Sequence, residues 1–115
     1  MSNDLRRTRR RNVHEPVMVV DTMSEQIIGR LGNVSESGML LVANARLIED
    51  ALYQLRFEIP DHTGRMVAID VGAHLIWVGS ANTPGQSWAG LRFLTIGESQ
   101  LEVLRPWVAR PEARR

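Results

Sequence analysis

The sequence predicts a fold dominated by β-strands, an antiparallel β-barrel closed at one end by a single C-terminal α-helix. Short apolar segments rich in β-branched residues recur along the chain, separated by turn residues. Residues 53–59 alternate apolar and polar side chains, as a half-buried strand does, and only residues 98–105 show helical spacing. Many short strands with tight turns, followed by one helix, are typical of such a barrel.

The strands are predicted in order from their apolar pattern and the residues that bound them. Pro16 can open the first strand, because a proline is tolerated where a strand begins. Gly29 and Gly32 in the second strand indicate bulges or close backbone approaches. Gly72 marks a possible break between the fifth and sixth segments. The predicted strands are residues 17–20, 26–34, 39–42, 53–59, 66–69, 71–78 and 87–95.

The segments that connect the predicted strands contain residue types that favour turns. Residues 35–38 form a short loop, Pro60 and residues 61–64 end the alternating strand, and residues 79–86 are rich in Gly, Ser, Asn and Pro. In the final segment Leu101 and Leu104 share one face of a short amphipathic helix. Pro106 is expected to terminate or kink this helix, because its ring and missing N–H are incompatible with a helix interior.

Size and composition indicate one soluble globular domain with its own core. The chain has 115 residues, of which 43% are hydrophobic and 23% charged. The absence of cysteine excludes disulfides, thiolate catalysis and cysteine-ligated zinc, and it fits a reducing cytoplasm. No stretch approaches the length of a membrane span, and no apolar region follows the Arg–Arg pairs as an export signal requires. We therefore predict a cytoplasmic protein without membrane insertion.

Positive charge is concentrated at the N-terminus. Five arginines lie within residues 6–11, so residues 1–12 carry a net charge of +4 and the remaining chain −3. All fourteen basic residues are Arg, whose planar guanidinium binds phosphate or a guanine edge through two parallel hydrogen bonds. The sequence predicts a flexible Arg-rich arm at residues 1–12, a barrel with C-terminal helix at residues 13–110 and a loose tail at residues 111–115.

The sequence contains no recognisable catalytic or metal-binding pattern. The three histidines, His14, His62 and His74, have no spacing typical of a metal site. The sequence contains no nucleophile elbow, no Walker-type phosphate loop and no dinucleotide-binding glycine motif. We therefore expect neither an enzyme nor a metal or cofactor.

Two motifs are not explained by the formation of strands and turns alone. Arg6 and Arg10 form R-x-x-x-R in the arm, and residues 33–38 form an N-x-S-x-x-G turn between two predicted strands. Asn and Ser place short polar groups near free backbone amides, and Gly38 permits a positive φ or a close backbone approach. Such a turn can hold a phosphate or the edge of a base.

R-x-x-x-R followed about twenty residues later by [D/N]-x-S-x-x-G resembles the PilZ domain, the bacterial receptor module for cyclic di-GMP. Residues 39–41, 76–78 and 89–93 are similar to later strands of that family. The resemblance implies a six-stranded antiparallel barrel with a C-terminal helix. It also implies that cyclic di-GMP is bound by Arg6, Arg7, Arg10, Arg11, Asn33, Ser35 and Gly38.

This resemblance predicts a receptor that orders its arm on the ligand and then signals to an unknown protein partner. The register of the arginine motif is open between Arg6/Arg10, which the position of Pro16 favours, and Arg7/Arg11. Trp77 is expected either to stack near a guanine or to lie in the core. Two alternatives remain: a PilZ-like adaptor that acts without ligand, and a nucleic-acid binder that uses the arm, which the net negative body disfavours.

Overall fold

The computed structural model describes residues 9–110, which form seven strands and one helix. The helix, α1, is the last element and covers Glu98–Ala109. The strands are β1 Arg11–Asn12, β2 Met18–Asp21, β3 Gln26–Val34, β4 Gly38–Ala43, β5 Leu52–Pro60, β6 Met66–Ser80 and β7 Ser87–Ile96.

Six of the strands close into an antiparallel barrel. They pair in the order β3-β2-β5-β6-β7-β4, and β4 pairs again with β3 to complete the ring. Closure gives every barrel strand a neighbour on both sides over at least part of its length, which limits pairing with other chains. The short strand β1 lies outside the ring and pairs with the end of β3, Arg11 opposite Val34 and Asn12 opposite Asn33. The predicted barrel with a C-terminal helix is thereby confirmed.

The core follows the alternation of the strands. Inward side chains of every barrel strand meet in one cluster whose central members, such as Leu31, Leu41 and Ile59, have no exposed surface. The helix α1 adds Leu104, Trp107 and Val108 to the same cluster. Apolar burial of this kind contributes about 25 cal/mol per Å² and holds both the barrel and the helix in place.

The structure differs from the predicted elements at two points. Residues 66–80 form one continuous strand, and the predicted break at Gly72 is a register shift between Gly72 and Ala73 in its pairing with β7. The helix does not end at Pro106 but continues to Ala109. Burial of Trp107 and Val108 against the core stabilises this last turn, which local propensity alone disfavours.

The boundary of the N-terminal arm can be compared with the structure only in part. Residues 1–8, and with them Arg6 and Arg7, lie outside the described residues, as does the predicted tail at 111–115. Arg11 and Asn12, which the prediction assigned to the arm, belong to β1. Within residues 9–110 no helix has the length and hydropathy needed to span a membrane.

Candidate functional site

The strand registers place four residues side by side on the outer surface of the barrel. Asn33 of β3 lies opposite Leu40 of β4, Leu40 lies opposite Gly90 of β7, and Gly90 lies opposite Trp77 of β6. The strands β4 and β7 turn Met39, Leu41, Ala89 and Leu91 into the core, so their intervening residues face outward. The row combines a polar amide, two small or aliphatic residues and one large aromatic ring.

Trp77 lies on this surface and not in the core. Its side chain is 44% exposed, and a register shift between Leu75 and Trp77 turns it outward. The indole covers Gly90 so closely that a Cβ at Gly90 would collide with Nε1 of the ring. Gly90 therefore allows the ring to lie against the barrel wall, where one aromatic face remains available to a ligand.

A shallow cavity of about 350 Å³ lies beside Trp77. It brings Arg10, from the chain just before β1, to the same place as Asn33, Trp77 and Gly90. The remaining lining residues are Met39, Leu40, Ile76 and Leu91. The cavity thus has aliphatic and aromatic walls with one cationic and one amide group at its edge, a composition common in small-molecule sites.

Within residues 9–110, one polar group of the cavity lacks a hydrogen-bond partner and another makes no ion pair. The Oδ1 atom of Asn33 is buried and has no hydrogen-bond partner within residues 9–110. Arg10 is exposed and makes no ion pair with any described residue. A buried acceptor without a partner costs roughly 1–3 kcal/mol, so such groups in a native structure often await a ligand or water.

The turn at residues 35–38 is held by its own hydrogen bonds. Ser35 is fully buried, and its Oγ accepts a hydrogen bond from the Ser37 N–H at 3.1 Å and lies 3.4 Å from the Gly38 carbonyl oxygen. The Ser35 N–H donates to the same carbonyl at 2.8 Å. A Cβ at Gly38 would collide with the carbonyl oxygen of Leu91. Gly38 is therefore required for close approach of β4 to β7, and its φ is not positive.

Arg11 points away from the cavity. Its guanidinium is 8% exposed and donates from Nη1 to the carbonyl oxygens of Trp107 and Arg110, at 3.1 and 3.4 Å. From Nη2 it donates to Oε2 of Glu15 at 3.1 Å. Cations are favoured at a helix C-terminus, where the last carbonyl groups lack intrahelical partners. Arg11 thus fixes β1 to the end of α1.

The turn and the helix are also connected by an ion pair on the surface. Nε of Arg105 in α1 donates to Oε1 of Glu36 at 2.9 Å, and both side chains are about half exposed. Exposed pairs of this kind contribute at most about 1 kcal/mol. The contact nevertheless places the turn of the second motif directly beside the C-terminal helix.

The structure brings together only part of the predicted site. Arg10 and Asn33 share the cavity, Ser35 and Gly38 shape the adjoining turn, and Arg11 contacts the helix instead. The sequence did not reveal that Gly90 supports the ring of Trp77, although both residues lie in segments that carry the family resemblance. A signal existed in the pattern, since Gly90 interrupts an otherwise bulky outward face of β7.

Metal binding was also considered at this surface and elsewhere. No group of three or more His, Asp or Glu side chains within residues 9–110 is arranged to hold a metal ion. His74 lies elsewhere and contacts Oδ1 of Asp50 through Nε2 at 2.6 Å.

Comparison with known proteins shows the family to which the chain belongs. The family model of the PilZ domain matches residues 4–110, which is nearly the whole chain. The chain therefore belongs to the PilZ domain family, whose members are receptor or adaptor modules of the cyclic di-GMP-binding type.

A solved structure with the same fold is that of the Bacillus subtilis inhibitor of motility (MotI/DgrA). It superposes with a TM-score of 0.71 at 14% sequence identity, over 89% of this chain and 48% of that chain. The present chain thus spans about half the length of that protein. No curated protein matches the sequence.

Proposed function

We propose that this protein is a cyclic di-GMP receptor that orders its N-terminal arm on the ligand and transmits the change to a protein partner. The observation that carries the proposal is the convergence of Arg10, the unpartnered Oδ1 of Asn33 and the exposed ring of Trp77 at one cavity. A cyclic dinucleotide of guanine offers negative phosphates, hydrogen-bonding base edges and flat rings, and each of these matches one of the three groups.

Each side chain has a distinct role in this proposal. Arg10 pairs with a phosphate or with O6 and N7 of a guanine, contacts that contribute on the order of 1–3 kcal/mol. The Asn33 oxygen accepts a hydrogen bond from the N–H groups of a guanine edge, which removes the cost of its buried, unpaired state. Trp77 stacks on the base, a contact worth roughly 1–3 kcal/mol. Ser35 and Gly38 hold the shape of the turn.

The arginine motif is assigned to Arg6 and Arg10. Arg11 already makes three hydrogen bonds to α1 and Glu15, so its use by a ligand would leave the helix end unpaired. Arg10 makes no ion pair within residues 9–110, and it lines the cavity. Arg7 is then a neighbour of the motif, available to a second phosphate or to a second ligand molecule.

The size of the cavity supports a contribution from the arm. About 350 Å³ lies at the lower end of the range for small-molecule sites, roughly 300–1,000 Å³. A ligand with two guanines and two phosphates extends beyond such a space. Arg6 and Arg7 precede Arg10 by four and three positions in the sequence, and in this proposal they cover the exposed part of the ligand. Ordering of that segment reduces the net affinity but creates a new surface that a partner can recognise.

Isothermal titration of the purified full chain with cyclic di-GMP tests this proposal, with GTP and a short duplex DNA as controls. We expect saturable binding of the cyclic dinucleotide alone, near or below micromolar, which corresponds to about −8 kcal/mol. Arg10→Ala should weaken binding at least tenfold, whereas Arg65→Ala, an exposed arginine in the β5–β6 turn, should not. A stoichiometry of two ligands per chain would assign an additional role to Arg7.

The same titration separates the alternatives. Heat with duplex DNA that grows with duplex length and falls steeply with salt would indicate nucleic-acid binding through the arm. No heat with any ligand would indicate an adaptor that acts by protein contacts alone. We place the receptor in the cytoplasm, where its ligand is made, and fractionation of cells tests that location.

A further inference from the structure

The barrel opens between β2 and β5 at the end that α1 covers. The two strands pair only at Val20–Arg56 and Asp21–Leu55, although β5 continues to Pro60. The outer part of β5, residues 57–60, therefore has β6 on one side and, within residues 9–110, no paired strand on the other. The chain at residues 16–18 does not pair with this edge of β5, and a cleft lies between the two segments.

The cleft exposes backbone groups that a strand could use. The Thr22 N–H donates to the carbonyl oxygen of Gln54 at 2.9 Å, so even-numbered residues of β5 direct their N–H and C=O toward β2. Glu58 is the next even-numbered residue beyond Arg56, where the pairing of β2 with β5 ends. Its backbone N–H and C=O therefore have no paired residue in β2. Pro60 follows with a carbonyl group only, because proline has no N–H.

The interior of the cleft is apolar. Its volume is about 510 Å³, and its floor is formed by Val17, Phe57 and Trp107, which are buried. The rim carries Met18 and Met66, which are 38% and 55% exposed. Exposed methionines are common at surfaces that accept apolar side chains of varied shape, because the thioether chain adapts to its partner.

Among the charged groups around the cleft, Glu58 has no close ion-pair partner within residues 9–110 and interacts with the neighbouring Arg56 only at longer range. Glu15 pairs with Arg11, and Arg56 pairs with Asp70 at 2.7 Å. Glu58 lines the cleft and makes no ion pair within residues 9–110. A ligand that places a cation beside Glu58 is therefore favoured over a neutral or anionic one.

We propose that this cleft is a docking groove for an extended apolar segment of a partner protein that carries a Lys or Arg beside its apolar residues. The segment adds as a strand to the outer edge of β5, pairs with the backbone of Glu58 and places an apolar side chain on Phe57 and Trp107. Strand addition of this kind takes affinity from main-chain hydrogen bonds and specificity from pockets for alternate side chains. The unpaired edge favours a peptide over a small apolar molecule, which would leave it unpaired.

Selection from a displayed library of random seven-residue peptides on the full chain, without cyclic di-GMP, identifies what the groove accepts. We expect enriched sequences with apolar residues at alternate positions and one Lys or Arg. Their affinity should fall at least tenfold in the double variant Met18→Asp/Met66→Asp. It should not change in Met23→Asp, because Met23 is 80% exposed in the β2–β3 turn and lies outside the cleft. Equal binding to both variants would overturn the proposal.

A second measurement tests the strand geometry. The best peptide is synthesised in two forms, one with N-methyl groups on the odd-numbered backbone nitrogens and one with them on the even-numbered nitrogens. One form should lose binding and the other should keep it, because only every second N–H of an added strand faces β5. Binding should shift the amide resonance of Glu58. Binding of both N-methylated forms would instead indicate a site for apolar molecules.

Concentration-dependent dimerisation of the protein that the methionine substitutions abolish would assign the groove to a second copy of the chain. Because no cyclic dinucleotide is present, these outcomes are independent of the receptor titration.

Discussion

The guanidinium of Arg11 lies 4.2 Å from the centroid of the Trp107 ring and donates a hydrogen bond to the carbonyl oxygen of the same residue. The two residues are 96 positions apart, so this contact connects the start of the described chain to its last helix. Arg10, the preceding residue, lines the proposed ligand cavity. These neighbouring arginines therefore lie in different surroundings, Arg11 against the end of α1 and Arg10 at the cavity.

We expect Arg11→Ala to lower the free energy of unfolding by about 2–4 kcal/mol. The substitution removes charge-assisted hydrogen bonds, worth roughly 1.5–3 kcal/mol each, to Glu15 and to carbonyl groups at the end of α1, and it removes a cation–π contact. Arg10→Ala, next to it, should change stability by less than about 0.5 kcal/mol, because Arg10 is exposed and unpaired among the described residues. Urea denaturation of both variants checks the difference. Equal stability of the two would show that the Arg11 contacts are not structural.

The Arg11–Glu15 pair should make stability depend on pH. Partial burial alone would raise the pKa of Glu15, but the backbone N–H of Glu15, the charge and hydrogen bond of Arg11, and the His14 N–H together hold it below its ordinary value. A lowered pKa means that the native state favours the carboxylate. The resulting stability is present above the unfolded pKa of about 4.3 and is lost as the pH falls through the lowered folded value.

Glu15→Gln isolates this contribution from the other carboxylates. Urea denaturation of the variant and the unchanged protein between pH 7 and pH 3 should show a difference in stability near neutrality that shrinks toward acid. A difference that stays constant over this range would mean that the charge of Glu15 is not involved.

The fold could be predicted from the sequence because its signals are local. The alternation in residues 53–59, the turn at residues 61–64 and the proline that opens the first strand each act over a few residues. The end of the helix could not be predicted in this way. Pro106 indicates a stop, and only the burial of Trp107 against residues distant in sequence explains why the helix continues.

The candidate site was predicted by residue type but not by side-chain direction. Arg10 and Arg11 are equivalent in the sequence, and contacts with a helix about a hundred residues away decide which of them is available to a ligand. Trp77 could not be assigned to the core or the surface, because a register shift in β6 determines where it points. A bulge of this kind has no clear local signal in residues 75–77.

Gly38→Ala should destabilise the barrel by more than about 2 kcal/mol. The added Cβ would collide with the Leu91 carbonyl oxygen, a backbone atom, so β4 and β7 would have to separate where they pair. Gly97→Ala is a suitable control, because a Cβ there meets only Gln100, at 3.8 Å. Thermal unfolding of the two variants measures the contrast. A small effect at Gly38 would mean that the strands separate at little cost and that the approach of β4 to β7 does not require glycine at this position.

The role of Trp77 can be tested both by displacing its ring and by removing it. Gly90→Ala places a Cβ where the indole lies, so the ring must leave the barrel wall, whereas Gly79→Ala brings a Cβ to an ordinary 3.5 Å from the same ring. The proposed stacking on guanine contributes about 1–3 kcal/mol. Gly90→Ala and Trp77→Ala should therefore each weaken cyclic di-GMP binding roughly 5- to 150-fold, and Gly79→Ala should not. Titration calorimetry measures the affinities, and urea denaturation verifies that all three variants are folded. Unchanged affinity in both Gly90→Ala and Trp77→Ala would exclude the ring from the ligand site and leave recognition to Arg10 and Asn33.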